Sequence, residues 1–288
     1  MGGFLSEPVA VATGLVLAMN RIGQKFNWLR SRQRKGFIPF VTAGDPDLDT
    51  SFKIVQALAD AGTDVIELGV PFSDPMADGP TIQRSSQRAL KNGTNLTQIL
   101  ELVQNLRKRS NVPVVLFSYL NPLMRYGIEK LRDEASDVGV DGVLVTDAVE
   151  DEAKEIGDLM AEKNIDLISL IAPTTTDDRL AKIGATARGF IYAVSRAGVT
   201  GARADTSAEA EKLVARVRKF TDLPVAVGFG ISTSDQVKDV WKYADAAVVG
   251  SALVAEIEQN ADAADLPERV RSFVGSIVPA FAKSRDEI

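Results

Sequence analysis

The chain has 288 residues, with 33 Lys and Arg against 39 Asp and Glu for a formal net charge of −6, and it contains neither cysteine nor histidine. That composition excludes disulfides, thiolate nucleophiles, imidazole acid–base chemistry and metals held by His or Cys, so proton transfer must fall to Asp, Glu, Lys or Tyr. No long basic run offers a surface to a nucleic-acid backbone, and the absence of cysteine fits a reducing compartment.

At the start of the chain, residues 9–19 are apolar but too few to span a bilayer, and no basic segment precedes them. Neither a membrane span nor a signal peptide is expected there, and residues 1–18 read as an extension outside the core fold. From Met19 onward the spacing of Ile22, Phe26 and Leu29 predicts an amphipathic helix. Eight short apolar runs then follow, at 37–41, 64–68, 114–117, 142–145, 167–170, 190–194, 225–227 and 246–249. Each is brief, β-branched and nearly continuous in its hydrophobicity, the pattern of parallel strands buried on both faces.

Segments of helical period separate the runs. Leu96, Ile99, Leu100, Val103 and Leu106 share one face, as do Leu213, Val214 and Val217. Helix starts are expected at Asp49 or Thr50, Asn95, Asp177, Ser207 and Thr233. Eight strand–helix alternations predict a single (β/α)8 barrel over residues 19–288, with an extra N-terminal helix and an extra helix between the second and third strands. An open doubly wound sheet is the rival. The residues after the first strand, TAGDPD, carry no glycine fingerprint for it.

The segment 65–82, VIELGVPFSDPMADGPTI, holds the most chemistry. Glu67 sits among apolar residues of a predicted strand, where burial would raise its pKa toward neutrality. A salt bridge at a strand end is the alternative, and an acid–base role is preferred. Asp78 follows on a loop constrained by Pro71, Pro75 and Pro80; alone it could be a turn residue, but beside Glu67 it becomes a second candidate acid. Asp74, in a Ser-Asp-Pro turn, reads as structural.

A second constellation is rich in glycine. It comprises Gly198, Thr200 and Gly201 after the sixth strand, Gly228, Gly230 and Ser232 after the seventh, and Gly250 and Ser251 after the eighth. Each turn alone is ordinary punctuation. Together they match the phosphate site of such barrels, with backbone N–H groups and the hydroxyls of Ser232 and Ser251 as donors. Tyr119 and Tyr192 fall near strand ends, where they either flank a planar substrate or pack in the core. Phe40 and Leu116 read as core residues, and the basic stretch 30–35 as a solvated helix end. Arg196 and Arg203 either attract an anion or simply face solvent. Two carboxylates and a phosphate grip suit proton-coupled cleavage or isomerisation. Carbon–carbon cleavage without a Schiff-base Lys or a metal requires a substrate that supplies its own electron sink.

ELGVPFSDPMADGPTIQ, with IPFVTAGDPD upstream and SRAGVTGAR, GFGIS and VVGSALV downstream, resembles the α subunit of tryptophan synthase from about Met19 to the C-terminal helix. The resemblance implies retro-aldol cleavage of indole-3-glycerol phosphate, with the indole ring as the sink. It implies Glu67 as acid and base, Asp78 as the carboxylate on the ring N–H, and Tyr192 as a further active-site residue. Phe40 and Tyr119 become pocket aromatics, which revises the core reading of Phe40. Thr200 becomes the loop residue that orients the aspartate, while Gly201, Gly230, Gly250 and Ser251 become phosphate contacts. The resemblance further implies a cytoplasmic protein with no cofactor or metal of its own, in an α2β2 complex whose β subunit holds pyridoxal phosphate and receives the indole.

Two departures stand out. Residues 1–18 have no family counterpart, and Val149 replaces a usual proline in a loop expected near the β subunit. The other readings are a different phosphate-binding barrel, such as an indole-glycerol-phosphate synthase or a sugar-phosphate isomerase, and a non-catalytic activator of a β subunit. Intact Glu67 and Asp78 argue against the activator.

Overall fold

Eight parallel strands close on themselves in chain order: β1 (Gly36–Thr42), β2 (Ile66–Gly69), β3 (Val114–Ser118), β4 (Gly142–Val145), β5 (Asp166–Ile171), β6 (Ile191–Val194), β7 (Val225–Gly228) and β8 (Ala246–Val249). The last strand pairs with the first through Ile38↔Val248, so the sheet is a barrel and the open-sheet alternative falls. The computed structural model describes residues 19–194, 204–228 and 230–278.

Side chains alternate across each strand, and the two faces meet different partners. Phe37, Val41, Ile66, Leu68, Val114, Leu116 and Val143 point outward into the core shared with the helices. Ile38, Val65, Val115, Leu144, Ile168, Phe190, Ala226 and Val248 fill the barrel interior. Leu116 is thus a core residue, as its setting in the sequence implied.

The interior is plugged from the N-terminal end by α1 (Arg21–Ser31). Its apolar stripe, Ile22, Phe26 and Leu29, joins the interior cluster, and the Phe26 and Phe190 rings lie 5.5 Å apart. Asn20 caps this helix by accepting from the Gly23 N–H, and its amide donates to the Asp166 carboxylate at 2.7 Å.

Aspartates staple the strands at this closed end. Asp64 accepts the Phe37 N–H, Asp141 the Val114 N–H and Asp245 the Val225 N–H, each at 2.9 Å. Each staple runs from just before an even-numbered strand to the first residues of the odd-numbered strand before it. Cations neutralise carboxylates at this end: Arg107 and Arg21 reach Asp141 at 2.8 Å, Arg218 reaches Asp245 at 2.9 Å, Lys25 approaches Asp64 to 4.0 Å, and Arg188 reaches the nearby Asp166 at 3.0 Å. A buried carboxylate is tolerable when it is this fully bonded.

Outside the barrel run α2 (Leu48–Asp60), α3 (Pro80–Lys91), α4 (Leu96–Arg107), α5 (Leu120–Tyr126), α6 (Ile128–Val138), α7 (Glu150–Ala161), α8 (Asp177–Thr186), α9 (Ala204–Val217), α10 (Ser234–Trp241), α11 (Ser251–Gln259) and α12 (Leu266–Ile277). The extra helix expected between β2 and β3 is α3. Two further additions were not anticipated: α5 ahead of α6, split at Gly127 with φ +95°, and α11 ahead of α12. Among the described residues, no helix is long and apolar enough to cross a membrane.

Helix starts differ in part from the expectation. Asn95 and Thr233 each form a capping box with the glutamine three residues on. The cap of α2 is Asp47 rather than Asp49 or Thr50, and that of α8 is Thr176 rather than Asp177. Ser207 lies inside α9. In the first two cases a polar residue one to three places upstream has the extended backbone that lets its oxygen reach the first-turn N–H groups.

Candidate active site

Along the inward positions of β2 and β6, apolar side chains near the α1 plug give way to polar groups at the other mouth, and β1 adds an aromatic. On β1 the sequence is Ile38 then Phe40; on β2 it runs from Val65, just before the strand, to Glu67 and Gly69; on β6 it goes from Phe190, just before the strand, to Tyr192. Glu67 pairs in register with Phe40 on one side and Val115 on the other, which places its carboxyl in an apolar ring of neighbours. It is fully buried, and neither carboxyl oxygen has a hydrogen-bond partner. Among the described residues, only the Thr94 hydroxyl shares that state. Burial pushes the Glu67 carboxyl well above the usual carboxylate range. An orphaned buried acid costs on the order of 1–3 kcal/mol even when neutral. Such a group is a mark of function rather than of stability.

Asp78 stands on the loop between β2 and α3. Burial raises its pKa to about 6, while a hydrogen bond with Tyr119 works in the opposite sense. Tyr119 closes β3, caps α5 by position, and accepts the Ala77 N–H at 2.9 Å; its ring lies 5.2 Å from that of Phe72. The acidic loop is therefore pinned by a phenol that also touches its acid. Tyr192 is half-buried, and burial, followed by the charges of Glu67 and then Asp78, raises its pKa well above normal. The neutral phenol is thus within electrostatic reach of both acids. Its hydroxyl lies across Gly228 of β7, where a Cβ would sit 2.2 Å from the phenolic oxygen. Glycine at that position is what lets the tyrosine reach inward.

Phe40 divides the mouth. One edge packs on Gly69, where a Cβ would meet the ring at 2.6 Å, and the other faces Gly250, whose Cβ would lie 3.4 Å away. Beyond Gly250, α11 begins at Ser251 with no side chain capping its first turn. Its leading N–H groups therefore point outward with no capping side chain of the protein, the arrangement that receives an anion. The neighbouring start of α10 is different. Gln236 Oε1 accepts the Ser232 N–H at 2.8 Å, the Ser232 hydroxyl at 3.2 Å and the Thr233 N–H at 3.2 Å. Ser232 is turned toward its own helix and does not present the hydroxyl expected for an anion. Gly230 adopts φ +60°, a left-handed turn that glycine accepts without strain. Asp74 is exposed and accepts a hydrogen bond from the hydroxyl of neighbouring Ser73. Thr200 and Gly201, like Gly198, Arg196 and Arg203, lie outside the described residues.

This geometry can be set beside known proteins. The family profile described as "Tryptophan synthase alpha chain" matches residues 26–276. The chain belongs to that family. The tryptophan synthase alpha chain of Solibacter usitatus (strain Ellin6076) is 46% identical over 263 residues, covering 91% of this chain and 98% of that one. That of Citrifermentans bemidjiense is 48% identical over 265 residues, covering 92% and 99%. Among solved structures, subunit alpha from Legionella pneumophila str. Paris superposes with a TM-score of 0.84 at 33% identity, over 90% of this chain and 97% of that one. A tryptophan synthase structure from Mycobacterium tuberculosis gives 0.82 at 35% identity, over 90% and 97%. Membership of the tryptophan synthase alpha chain family makes the protein a carbon–carbon lyase of the alpha-reaction class.

Two residues at this alpha-chain site do not stand out in the sequence. Phe117 lines the mouth between Phe40 and Tyr192, with ring centroids 5.2 and 6.4 Å away. Its signal was available, since it lies two residues beyond inward-facing Val115. Asp147 accepts the Leu120 N–H at 2.7 Å and so steadies the turn that carries Tyr119. Nothing in sequence order joins those two loops.

Proposed function

We propose that this chain cleaves indole-3-glycerol phosphate to indole and glyceraldehyde 3-phosphate by a retro-aldol reaction on Glu67 and Asp78. The observation that carries the reading is the buried, unpartnered Glu67 carboxyl in a mouth that also holds Asp78 and the uncapped start of α11. In the first step Glu67 gives its proton to carbon 3 of the indole, and the ring becomes an iminium-like cation. The Asp78 carboxylate accepts a hydrogen bond from the ring N–H and stabilises that charge. Glu67, now a carboxylate, removes the proton of the side-chain hydroxyl. The oxygen lone pair closes to a carbonyl, the carbon–carbon bond breaks, and its electrons return to the ring. Indole and the aldehyde leave, and Glu67 is protonated again. A dry, apolar site around Glu67 is what lets one carboxyl serve first as acid and then as base near neutral pH.

Phe40, Tyr119 and Phe117 hold the ring, and neutral Tyr192 supplies a donor beside Glu67. The backbone at Gly250 and Ser251 takes the phosphate, with Gly230 at the adjacent turn. Family membership adds Gly201 as a further phosphate contact and Thr200 as the group that orients the acid loop.

The same reading supplies a partner. The chain works in an α2β2 assembly in which a β subunit, holding pyridoxal phosphate, receives the indole; the chain itself needs no cofactor or metal. Large apolar side chains left in water support this, because Met76, Met124 and Val149 stand 92%, 61% and 55% exposed on the segments after β2, β3 and β4, at the same mouth. The test is indole release from indole-3-glycerol phosphate by the purified chain, with and without a β subunit. Release that rises on adding the β subunit is the expected result. No indole under either condition would overturn the assignment.

A further inference from the structure

Two of the added helices, α3 and α11, bracket the mouth. α3 leaves directly from the acidic loop, two residues after Asp78, and α11 begins at the open turn of Gly250 and Ser251. They pack on each other, and between them Ile82 of α3 and Val254 of α11 close over Phe40 in a small cluster set apart from the main core. Such a cluster is too small to fix the helices by itself.

A charged network completes the join. Arg88 of α3 grips Asp45 with both arms of its guanidinium, at 2.7 and 2.9 Å, and reaches Glu258 of α11 with its remaining nitrogen at 2.5 Å. Arg84, one turn earlier, holds Glu258 through two bonds of 2.7 and 2.6 Å. Asp45 lies on the loop after β1 with its side chain 1% exposed, so this pair is anchored in the body of the protein. The hydrogen bond from Arg84, then that from Arg88, lowers Glu258 to about 2 against an opposing effect of burial. Its charge persists across the range in which enzymes work. The fork-to-fork geometry is directional, so it fixes orientation as well as proximity. A second tie between β1 and α3, Thr42 Oγ1 to Ser85 Oγ at 2.6 Å, is buried beside it.

We propose that Arg88, with Glu258 and Asp45, is a positioning clamp that sets the span between Asp78 and the phosphate-binding turn of α11. The clamp rests on the lyase reading above and assigns it a ruler: the enzyme accepts substrates whose ring and phosphoryl group are separated by that span. Neither Arg88 nor Glu258 touches substrate. Their effect passes through the helices that carry the two binding ends.

The test compares kcat/KM for indole-3-glycerol phosphate with that for its dephosphorylated counterpart, indole-3-glycerol, in wild type, Arg88→Met, Arg88→Lys and Glu258→Gln. Arg88→Met is expected to lower the ratio of the two values by about tenfold, because misplacement of about an ångström is costly when both ends must bind together. Arg88→Lys keeps the charge but loses the fork, so it should restore part of the ratio; Glu258→Gln should lower it with Arg88 left in place. Affinity for inorganic phosphate should not change, since the α11 turn itself is intact. Equal losses for both substrates, with a lower melting temperature, would reduce the network to a structural brace and overturn the proposal. Should Arg88→Met fail to fold, Glu258→Gln decides the question, because its side chain lies at the surface end of the network. A wild type that releases no indole from either substrate would overturn the lyase reading and the clamp with it, whereas an active wild type with an unmoved ratio overturns the clamp alone.

Discussion

The two ends of the barrel bury acidic side chains under opposite rules. At the closed end, Asp141 accepts a strand N–H and faces two guanidinium groups, and Asp64 and Asp245 likewise each accept a strand N–H beside a cation. At the open end, Glu67 is equally inaccessible and has no donor at all. Bonded acids stitch strands together, whereas the orphan has its pKa pushed well up by burial with no donor to offset it. Burial by itself therefore says little about a carboxylate. Its partners decide whether it serves the fold or the chemistry.

The contrast is most exposed to failure at Glu67. Glu67→Gln should lower kcat about 10³-fold or more while leaving substrate binding near that of wild type and the fold no less stable, as read by steady-state kinetics and thermal melts. An unaltered rate would remove the acid from the reaction. Asp141→Ala should do the reverse. With Arg107 only 11% exposed and its partner gone, unfolding free energy should fall by about 3–5 kcal/mol while the folded fraction keeps its turnover. Denaturant titration beside activity measurement separates the two ends.

Gly228→Ala tests how closely the open end is fitted. Its new methyl would meet the Tyr192 hydroxyl at 2.2 Å and the Val248 Cβ at 2.9 Å, so the phenol must move and the seam with β8 must give; activity should drop about 10²-fold with some loss of stability beside it.

Proton linkage gives a subtler separation. Glu67 and Asp78 both have folded pKa values above their unfolded ones, from the ordinary 4.5 and 3.8 respectively, and Asp78 reaches about 6. The folded state thus binds their protons more tightly. Their contribution to stability is full below the unfolded values and is lost as pH rises through the folded ones. Glu67→Gln should therefore gain stability relative to wild type as pH is raised above the ordinary glutamate range. In activity, kcat/KM should rise through about pH 6 as Asp78 ionises and fall where Glu67 loses its proton. The smallest effect is expected from Tyr119→Phe. The lost hydrogen bond had been lowering the Asp78 pKa, so the rising limb should move to higher pH, with a loss of up to about tenfold in kcat/KM. A limb that moved to lower pH would contradict the Tyr119–Asp78 contact.

The sequence by itself determined the barrel and its two central acids. Doubly buried parallel strands leave continuous β-branched runs, and a glutamate inside such a run is chemically conspicuous wherever the strand ends up. Alternation along β3 even carries Phe117, two residues from an inward valine. What sequence order does not encode is which loops meet. Only the closed sheet brings Gly228 beneath Tyr192, Asp147 to the turn of Tyr119, and Arg88 between Asp45 and Glu258. Those contacts join residues from 27 to 170 positions apart. Local propensity fixes each strand and cap, but the closing geometry of the sheet fixes which ends become neighbours, and the span between acid and anion turn exists only there.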